Sequence, residues 1–252
     1  MPVSEQVMLI PKSVNRLIGQ AMHTYNMLND GDSVLVAVSG GMDSMTLAAV
    51  LNEWRKKAPI TYKLTAVHLD MGFAPGSFSR LARQQLAKIG IEVEIESTTF
   101  GPDALNAEQG KSGCFHCARK RRSRLFSLAR EKGCNKLALG HHKEDIIETF
   151  FLNLLYSGNI STMVPSQPLF NGKLTVIRPF AFLDKQQVGT MAEAFNLQAV
   201  ENPCPLAGTS KRERVRKILS VLTNEDAQIK GNIFSALSNV RNEYLLRHPV
   251  SS

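Results

Sequence analysis

The sequence predicts an α/β fold, in which helices cover a doubly wound parallel sheet and a small, mainly helical C-terminal region follows. Short apolar runs alternate with segments whose apolar residues recur at helical spacing, and the first apolar run ends in adjacent glycines at the start of a helix. Strands that alternate with helices pair in parallel through right-handed crossovers, and such sheets bind ligands at the carboxyl ends of their strands. We therefore expect functional residues in the turns that follow the strands.

Four strands are expected before the texture of the chain changes. They are the apolar runs SVLVAV, KLTAVHL, IEVEIE and KLALG. An amphipathic helix, with apolar residues from Val14 to Tyr25, precedes the first strand. The helices between the strands run through Trp54, around SRLARQQLAKIG, and from about Ala118 to Glu131.

The chain after Tyr156 has a different pattern. We expect a polar loop there, then the short strand LTVIRPF, and then helices from about Lys185, Thr209 and Asp226. The sequence therefore predicts three regions: an N-terminal helical extension over 1–30, an α/β domain over 31–182 that carries both strand-to-helix turns and the C-x-x-C, and a helical C-terminal region over 183–252.

Composition limits the class of protein. The 30 Lys and Arg residues against 22 Asp and Glu residues give a net charge of +8, which favours a polyanionic partner. No apolar run has the length of a membrane span. The first residues, MPVSEQVMLIPK, lack the charged, apolar and small-residue segments that follow one another in a secretory signal. We therefore expect a cytoplasmic protein. Four cysteines in 252 residues do not make a disulfide framework, so clustered ones are candidates for metal binding or catalysis.

The first apolar run ends in a glycine-rich turn, AVSGGMDS. Two adjacent glycines let the backbone come close to a ligand, and the following helix offers N–H groups and the positive end of its dipole. The spacing is not that of a P-loop, because Met42 and Asp43 stand where a P-loop has its lysine. A carboxylate beside a phosphate site is explained by Mg²⁺, which bridges phosphate oxygens. The turn therefore predicts ATP bound with Mg²⁺, with Asp43 on the metal and the phosphates at Ser39, Gly40, Gly41, Asp43 and Ser44.

A second strand-to-helix turn, GHHKED, is rich in histidine and acid. Acids in a first helical turn also complement the helix dipole, and both histidines could be structural residues. Together, however, the two turns resemble the pyrophosphatase-loop ATPases, whose signature is S-G-G-x-D-S followed by G-H-x-x-D-D. The second motif departs only at Glu144, which replaces an Asp. The resemblance implies an adenine nucleotide alpha hydrolase-like fold, cleavage of ATP to AMP and pyrophosphate, and nucleotide contacts from Gly140, His141 and Asp145.

Three of the four cysteines lie beside basic runs. Cys114 and Cys117 form a C-x-x-C, and Cys204 lies in ENPCPLAGTSKRERVRK. Three interpretations stay open. A thioredoxin-like redox pair requires a thioredoxin-like fold around it, which this sequence does not predict. A zinc site requires a fourth ligand, which His116 is poorly placed to supply. Three thiolates suit a cubane iron–sulfur cluster in which one iron has no protein ligand. Cys134 precedes a buried strand and is expected in the core.

With the cysteines included, the sequence resembles the tRNA 2-thiocytidine synthetase family over nearly its whole length. The resemblance implies an AMP-forming tRNA sulfurtransferase that uses ATP, Mg²⁺ and a [4Fe–4S] cluster on Cys114, Cys117 and Cys204. These cysteines and Asp43 are the implied catalytic residues. The enzyme would adenylate the 2-oxygen of an anticodon-loop cytidine, which sulfur then replaces.

Sulfide on the open iron is the candidate sulfur donor in this family, and a cysteine persulfide is the alternative. A cysteine desulfurase or free sulfide would supply that sulfur, and the resemblance also implies a homodimer. The chain departs from the family pattern at two places. Met42 stands where members often have Lys, and Ala207 stands where some members have a further cysteine.

Basic residues follow both cysteine sites. A solvated helix face explains either run alone. Their position beside the expected chemistry favours contact with tRNA phosphates, and salt should weaken such contact. The expected RNA-binding residues are Arg119, Lys120, Arg121, Arg122, Lys211 and Arg212.

Other functions share parts of this pattern. tRNA(Ile)-lysidine synthetases have both ATP motifs and activate the same cytidine oxygen, but they need no cysteine cluster. Thiouridine synthetases use a Cys-Pro like Cys204-Pro205. A non-enzymatic alternative is an RNA-binding iron–sulfur or zinc protein with a relic ATP loop. Magnesium-dependent release of pyrophosphate separates the enzymes from such a carrier.

Overall fold

The computed structural model describes residues 10–73, 77–106, 113–200, 203–205, 208, 210–226 and 228–246. The strands are β1 (Ser33–Val38), β2 (Lys63–Asp70), β3 (Val93–Ser97), β4 (Lys136–Ala138), β5 (Ser166–Leu169) and β6 (Leu174–Ile177). The helices are α1 (Lys12–Thr24), α2 (Met42–Lys57), α3 (Ser77–Ala87), α4 (Phe100–Asn106), α5 (Gly113–Glu131), α6 (Lys143–Ser157), α7 (Lys185–Ala194), α8 (Lys211–Glu225) and α9 (Gln228–Ala236). Ala207 and the expected helix start at Thr209 lie outside the described residues.

The six strands form one sheet in the order β3-β2-β1-β4-β6-β5. All neighbours pair in parallel except β5, which runs antiparallel to β6. The predicted α/β fold with a mostly parallel sheet is therefore confirmed. Strand β1 lies at the centre, so the turn that follows it opens in the middle of the ligand-binding edge.

Three elements differ from the expectation, and the first is α4 (Phe100–Asn106), which was not predicted. Ser166–Leu169 lies in the segment expected to be a polar loop, yet it forms the edge strand β5. Its sequence, SQPL, has no apolar run to indicate a strand, and Pro168 is tolerated because an edge strand leaves one side unpaired. Helix α5 begins at Gly113 rather than near Ala118, so the C-x-x-C lies on the helix itself.

Side chains of the central strand alternate between two apolar clusters, one on each face of the sheet. Val34, Val36 and Val38 pack with residues of α1, α2, α3 and α7, whereas Leu35 packs with residues of α5 and β4. This alternation has the two-residue period of a strand that is buried on both faces. Cys134 is 5% exposed in the second cluster, which confirms its place in the core.

Contacts between Cα atoms group the chain into two compact units, 1–145 with 164–210, and 146–163 with 211–252. Helix α1 belongs to the first unit, where Val14 and Ile18 are buried in the core. The second unit contains α6 from Ile146 onward together with α8 and α9. The predicted domain limits at 30/31 and 182/183 stay predictions. No helix in the described part of the chain is long and apolar enough to cross a membrane.

Candidate active site

The turn between β1 and α2 is held open by its own hydrogen bonds. Gly40 has a φ of +83°, a left-handed conformation that glycine adopts without a steric penalty. The Ser39 amide donates to Ser44 Oγ at 2.9 Å, and the Ser44 hydroxyl donates to the Gly41 carbonyl at 2.9 Å. The Ser39 hydroxyl therefore donates to Ser44 Oγ, 3.0 Å away, because the Ser44 proton is already used. Both serines shape the loop, so its backbone is preorganised before a ligand arrives.

The two predicted motifs meet backbone to backbone. A Cβ built on Gly140 would lie 2.8 Å from the Asp43 carbonyl oxygen and 3.0 Å from the Ser44 nitrogen. These are main-chain atoms of the first turn of α2, so they cannot rotate out of the way as a flexible side chain would. Only glycine lets the turn after β4 approach the glycine loop this closely. The sequence motif G-H therefore has a packing reason for its glycine.

His142 lies among three carboxylates at this junction. Its Nδ1 is 2.9 Å from Glu144 Oε2, and its Nε2 is 3.5 Å from Asp145 Oδ2 and 3.9 Å from Asp43 Oδ2. Burial opposes a charge on the ring, but the hydrogen bond to Glu144 and the charges of Asp145 and Asp43 outweigh it, so the pKa of His142 is raised. The cluster links both ATP motifs through one side chain.

From the sequence we predicted a nucleotide contact for His141 and none for His142, and a structural role was open for both. In the structure His142 is the histidine among the carboxylates, whereas His141 Nδ1 accepts a hydrogen bond from Arg178 Nε at 3.3 Å. Arg178 had no predicted role. The only sequence signal for it is an arginine directly after an apolar strand, in LTVIRPF.

The carboxylates fit a magnesium ion that also binds phosphate. Mg²⁺ keeps several waters and uses one or two protein carboxylates with substrate phosphates, rather than an all-protein cage. Asp43 lies in the first turn of α2 beside the glycine loop, and its side chain is 38% exposed. Across the described residues, no group of three or more His, Cys, Asp or Glu side chains is arranged to enclose a metal ion. Asp43 is therefore the candidate for a shared site with ATP.

The structure brings the three candidate cysteines together in the first compact unit. Cys114 and Cys117 lie in the first turns of α5, and all three thiols are half-buried and outside any disulfide. Burial raises the pKa of Cys117, Arg121 lowers it, and the neighbouring Cys204 and Cys114 raise it further, with a net rise. Cys117 is thus within electrostatic range of both other thiols.

This donor set fits a cubane cluster better than a single zinc ion. Tetrahedral zinc with Zn–S bonds near 2.3 Å holds its sulfurs about 3.8 Å apart and needs four ligands. In the described part of the chain no three His, Cys, Asp or Glu side chains are close enough to hold a single metal ion, so the three thiols lack the compact spacing that zinc requires. His116, the nearest other candidate, packs its ring edge-on against Phe115 at 5.8 Å. Three thiols with Arg121 nearby match three ligands to a cluster whose negative charge a cation offsets.

The six predicted RNA-binding residues form two groups, and Arg121 stands apart from both. Three of them have partners within the protein. Lys120 Nζ is 2.9 Å from Asp103, Lys211 lies 4.7 Å over the Tyr156 ring, and Arg212 Nη1 is 3.4 Å from Glu148.

Arg119 and Arg122 form the second group. They are exposed on α5, and no described residue forms an ion pair with either. Arg121 on the same helix influences Cys117. The basic run on α5 therefore presents more available charge than the start of α8.

Comparison with known proteins agrees with both the fold and the motifs. The model of the PP-loop domain family matches residues 12–222. Two relatives named tRNA-cytidine(32) 2-sulfurtransferase are each 38% identical. The one from Syntrophotalea carbinolica matches 98% of this chain and 95% of its own, and the one from Geobacter sulfurreducens matches 93% and 92%.

Solved structures share the fold at lower identity. A U34-tRNA thiolase from Methanococcus maripaludis, solved with its [4Fe–4S] cluster, gives a TM-score of 0.73 at 23% identity over 92% of this chain and 80% of that one. An NH3-dependent NAD synthetase from Campylobacter jejuni gives a TM-score of 0.51 at 16% identity over 97% and 100%. The family predicted from the glycine loop, the His-acid turn and the cysteines is confirmed. The chain belongs to the PP-loop family and, within it, to the tRNA-cytidine(32) 2-sulfurtransferases.

Proposed function

We propose that this chain is an ATP-dependent tRNA sulfurtransferase that replaces the 2-oxygen of cytidine 32 with sulfur. The observation that carries the proposal is the arrangement of the first compact unit. The glycine loop and the His-acid turn touch through Gly140, and the same unit holds three neighbouring thiols. The names of the 38% identical relatives support the target base.

The first step is adenylation of the base. The cytidine 2-oxygen attacks the α-phosphorus of ATP, the α–β phosphoanhydride bond breaks, and pyrophosphate leaves. The amides at the start of α2 are proposed to hold the phosphates, because the first N–H groups of a helix have no intrahelical acceptor and need no reorganisation. Asp43 is the proposed magnesium ligand, and His142 holds its carboxylate among the acids of the second motif. With Met42 in place of a lysine, the backbone donors and Mg²⁺ supply most of the charge stabilisation.

The second step is substitution at C2. A sulfur atom at the oxidation level of sulfide attacks C2 of the base. The C2–O bond breaks, and AMP leaves with the former base oxygen. This exchange consumes no oxidant or reductant. A persulfide donor would instead require a second thiol to supply two electrons and would leave a disulfide. Free sulfide or a cysteine desulfurase is the proposed source of the sulfur.

Cys114, Cys117 and Cys204 are the proposed ligands of a [4Fe–4S] cluster. When bound, such a cluster offers one iron without a protein ligand, where sulfide can be held. The residues themselves contribute position and charge. Helix α5 fixes two thiols one turn apart, and Arg121 favours the thiolate form of Cys117. A homodimer is part of the proposal only through the family resemblance.

The lysidine synthetase alternative is weaker because lysine attachment needs no thiols. The carrier alternative is weaker because the glycine loop keeps its shape and its contact with the His-acid turn. The lysidine alternative thus leaves the three neighbouring cysteines without a role, and the carrier alternative leaves the intact ATP motifs without one.

Iron and acid-labile sulfide content after anaerobic purification tests the cluster assignment. Cys204→Ala should lose most of the iron, whereas Cys134→Ala, a cysteine in the apolar core, should keep the wild-type content. We expect about four irons per wild-type chain. Stoichiometric zinc without iron would contradict the cluster, and equal iron loss in both variants would contradict its ligand set.

A further inference from the structure

Arg178 is a buried cation that lies beside the second ATP motif. It follows β6 directly and is 7% exposed. Its amide donates to the Pro165 carbonyl at 2.8 Å, which fixes the backbone at this point. A guanidinium held this deeply has lost most of its hydration, so it requires compensation from protein groups or from a ligand.

The protein compensates this charge only in part. Arg178 Nε donates to His141 Nδ1 at 3.3 Å, and Nη1 donates to the Val164 carbonyl. Both acceptors are neutral, and no described residue accepts from Nη2 or supplies a carboxylate. Burial, with a smaller effect from the charge of Arg122, lowers the pKa of Arg178 to about 10. The charge that acts on Arg178 is therefore that of a second cation, Arg122, which repels the guanidinium instead of neutralising it.

The His141 ring does not neutralise the charge of Arg178. Because a guanidinium can only donate, the Nδ1 atom of His141 must be the acceptor, and in the neutral ring the proton lies on Nε2. The positive charge of Arg178 and Arg122 is therefore not offset by the His141 ring. Buried cations without a counter-ion are costly unless an anion binds to them. Phosphate is the anion that arginine binds best with paired N–H groups.

We propose that Arg178 and Arg122 bind a phosphate group between the His-acid turn and the helix that carries the C-x-x-C. The identity of that phosphate rests on the proposed function, because such an enzyme has two phosphate-bearing ligands. It belongs either to the tRNA backbone beside the target nucleotide or to ATP. The shared chemistry is a phosphate oxygen paired with a guanidinium.

Binding measurements on the full chain test this site without requiring turnover. Arg178→Gln and Arg122→Gln each remove one charge, and Arg130→Gln is the matched control, because Arg130 is exposed on the same α5 helix. The affinity for an unmodified tRNA transcript is measured over a series of salt concentrations. The affinity for a non-hydrolysable ATP analogue is measured by calorimetry.

If the phosphate is that of tRNA, each site variant should bind the transcript roughly tenfold more weakly. The slope of log K against log salt should also fall by about 1, with the affinity for the ATP analogue unchanged. If the phosphate belongs to ATP, the loss should appear in the analogue and the tRNA slope should stay. Either pattern supports the site. Binding of both ligands equal to that of Arg130→Gln would overturn it.

Arg178→Lys guards against loss of folding at this buried position. It keeps a charge but loses the paired N–H geometry, so it should bind better than Arg178→Gln and worse than wild type. Arg122→Gln changes an exposed residue and carries the test if both Arg178 variants unfold. A wild type that thiolates no tRNA, with phosphate binding still lost in the variants, would refute the proposed function but keep the site. A thiolating wild type with normally binding variants would refute the site alone.

Discussion

Gly140→Ala should separate the two ATP motifs by adding one methyl group. The new Cβ would lie 2.8 Å from the carbonyl oxygen of Asp43, 2.9 Å from its carbonyl carbon and 3.0 Å from the Ser44 nitrogen. Ordinary contacts of this kind are near 3.4–4 Å. Each of the three contacts must therefore open by roughly half an ångström, and all three atoms are main chain in the first turn of α2.

Overpacking of this kind costs about 1–3 kcal/mol. For a chain of this size that corresponds to a fall in Tm of roughly 2–12 °C. The larger effect should be on catalysis, because a displacement approaching 1 Å in the positioning of a reacting group costs up to about a hundredfold. We expect kcat/KM for ATP to fall by about tenfold to a hundredfold.

Gly189→Ala is the matched control. Gly189 lies in the interior of α7, and nothing lies within 4 Å of its added Cβ. This change should stabilise the chain by about 0.5–1 kcal/mol through helix propensity. Thermal unfolding and ATP-dependent pyrophosphate release are measured on both variants. If Gly140→Ala has the Tm and the rate of pyrophosphate release of wild type, the two motifs do not touch as described.

Three further predictions follow from single contacts. Ser44→Ala removes the acceptor of the Ser39 amide, so it should destabilise the chain by about 1–3 kcal/mol. It should also raise the KM for ATP, because the glycine loop loses its internal hydrogen bond. An unchanged Tm would contradict this. Burial lowers the pKa of His68 below its usual 6.5, so the unfolded state takes up the proton before the folded state as the pH falls. The free energy of unfolding of wild type relative to His68→Asn should therefore be constant above pH 6.5 and decline below it. A difference in denaturant midpoints that stays the same from pH 5 to 8 would refute this. Arg119→Gln should lower the slope of log K for tRNA binding against log salt by about 1. Lys120→Gln should lower that slope by less, because Lys120 already pairs with Asp103. Equal slopes for the two variants would contradict this difference.

Local patterns made much of the fold predictable. SVLVAV reads as a strand buried on both faces, and in the structure alternate side chains enter separate apolar clusters. The edge strand β5 was missed because SQPL has no apolar run, and only its pairing with β6 makes it a strand. The early start of α5 was missed because GCFHC lacks the apolar spacing of an amphipathic helix.

The candidate site was predictable where its chemistry lies in contiguous motifs. Ser39 and Ser44 are five residues apart and meet through the turn, so one stretch of sequence contains the whole loop. His142 and Arg178 acquire their roles from tertiary contacts. Sequence spacing could not distinguish the histidine among the carboxylates from the one that faces an arginine 37 residues later.

Mass analysis of a tRNA transcript after reaction tests the central claim most directly. The wild-type chain, purified anaerobically, is supplied with ATP, Mg²⁺ and sulfide, and the masses of the ribonuclease fragments and of the nucleosides are then measured, so that the modified base is both located and identified. We predict one cytidine, at position 32, with sulfur in place of its 2-oxygen. Omission of ATP or the substitution Cys204→Ala should remove the product. A cytidine that carries lysine, or release of pyrophosphate without any sulfur in the RNA from a chain shown to hold its iron, would contradict it.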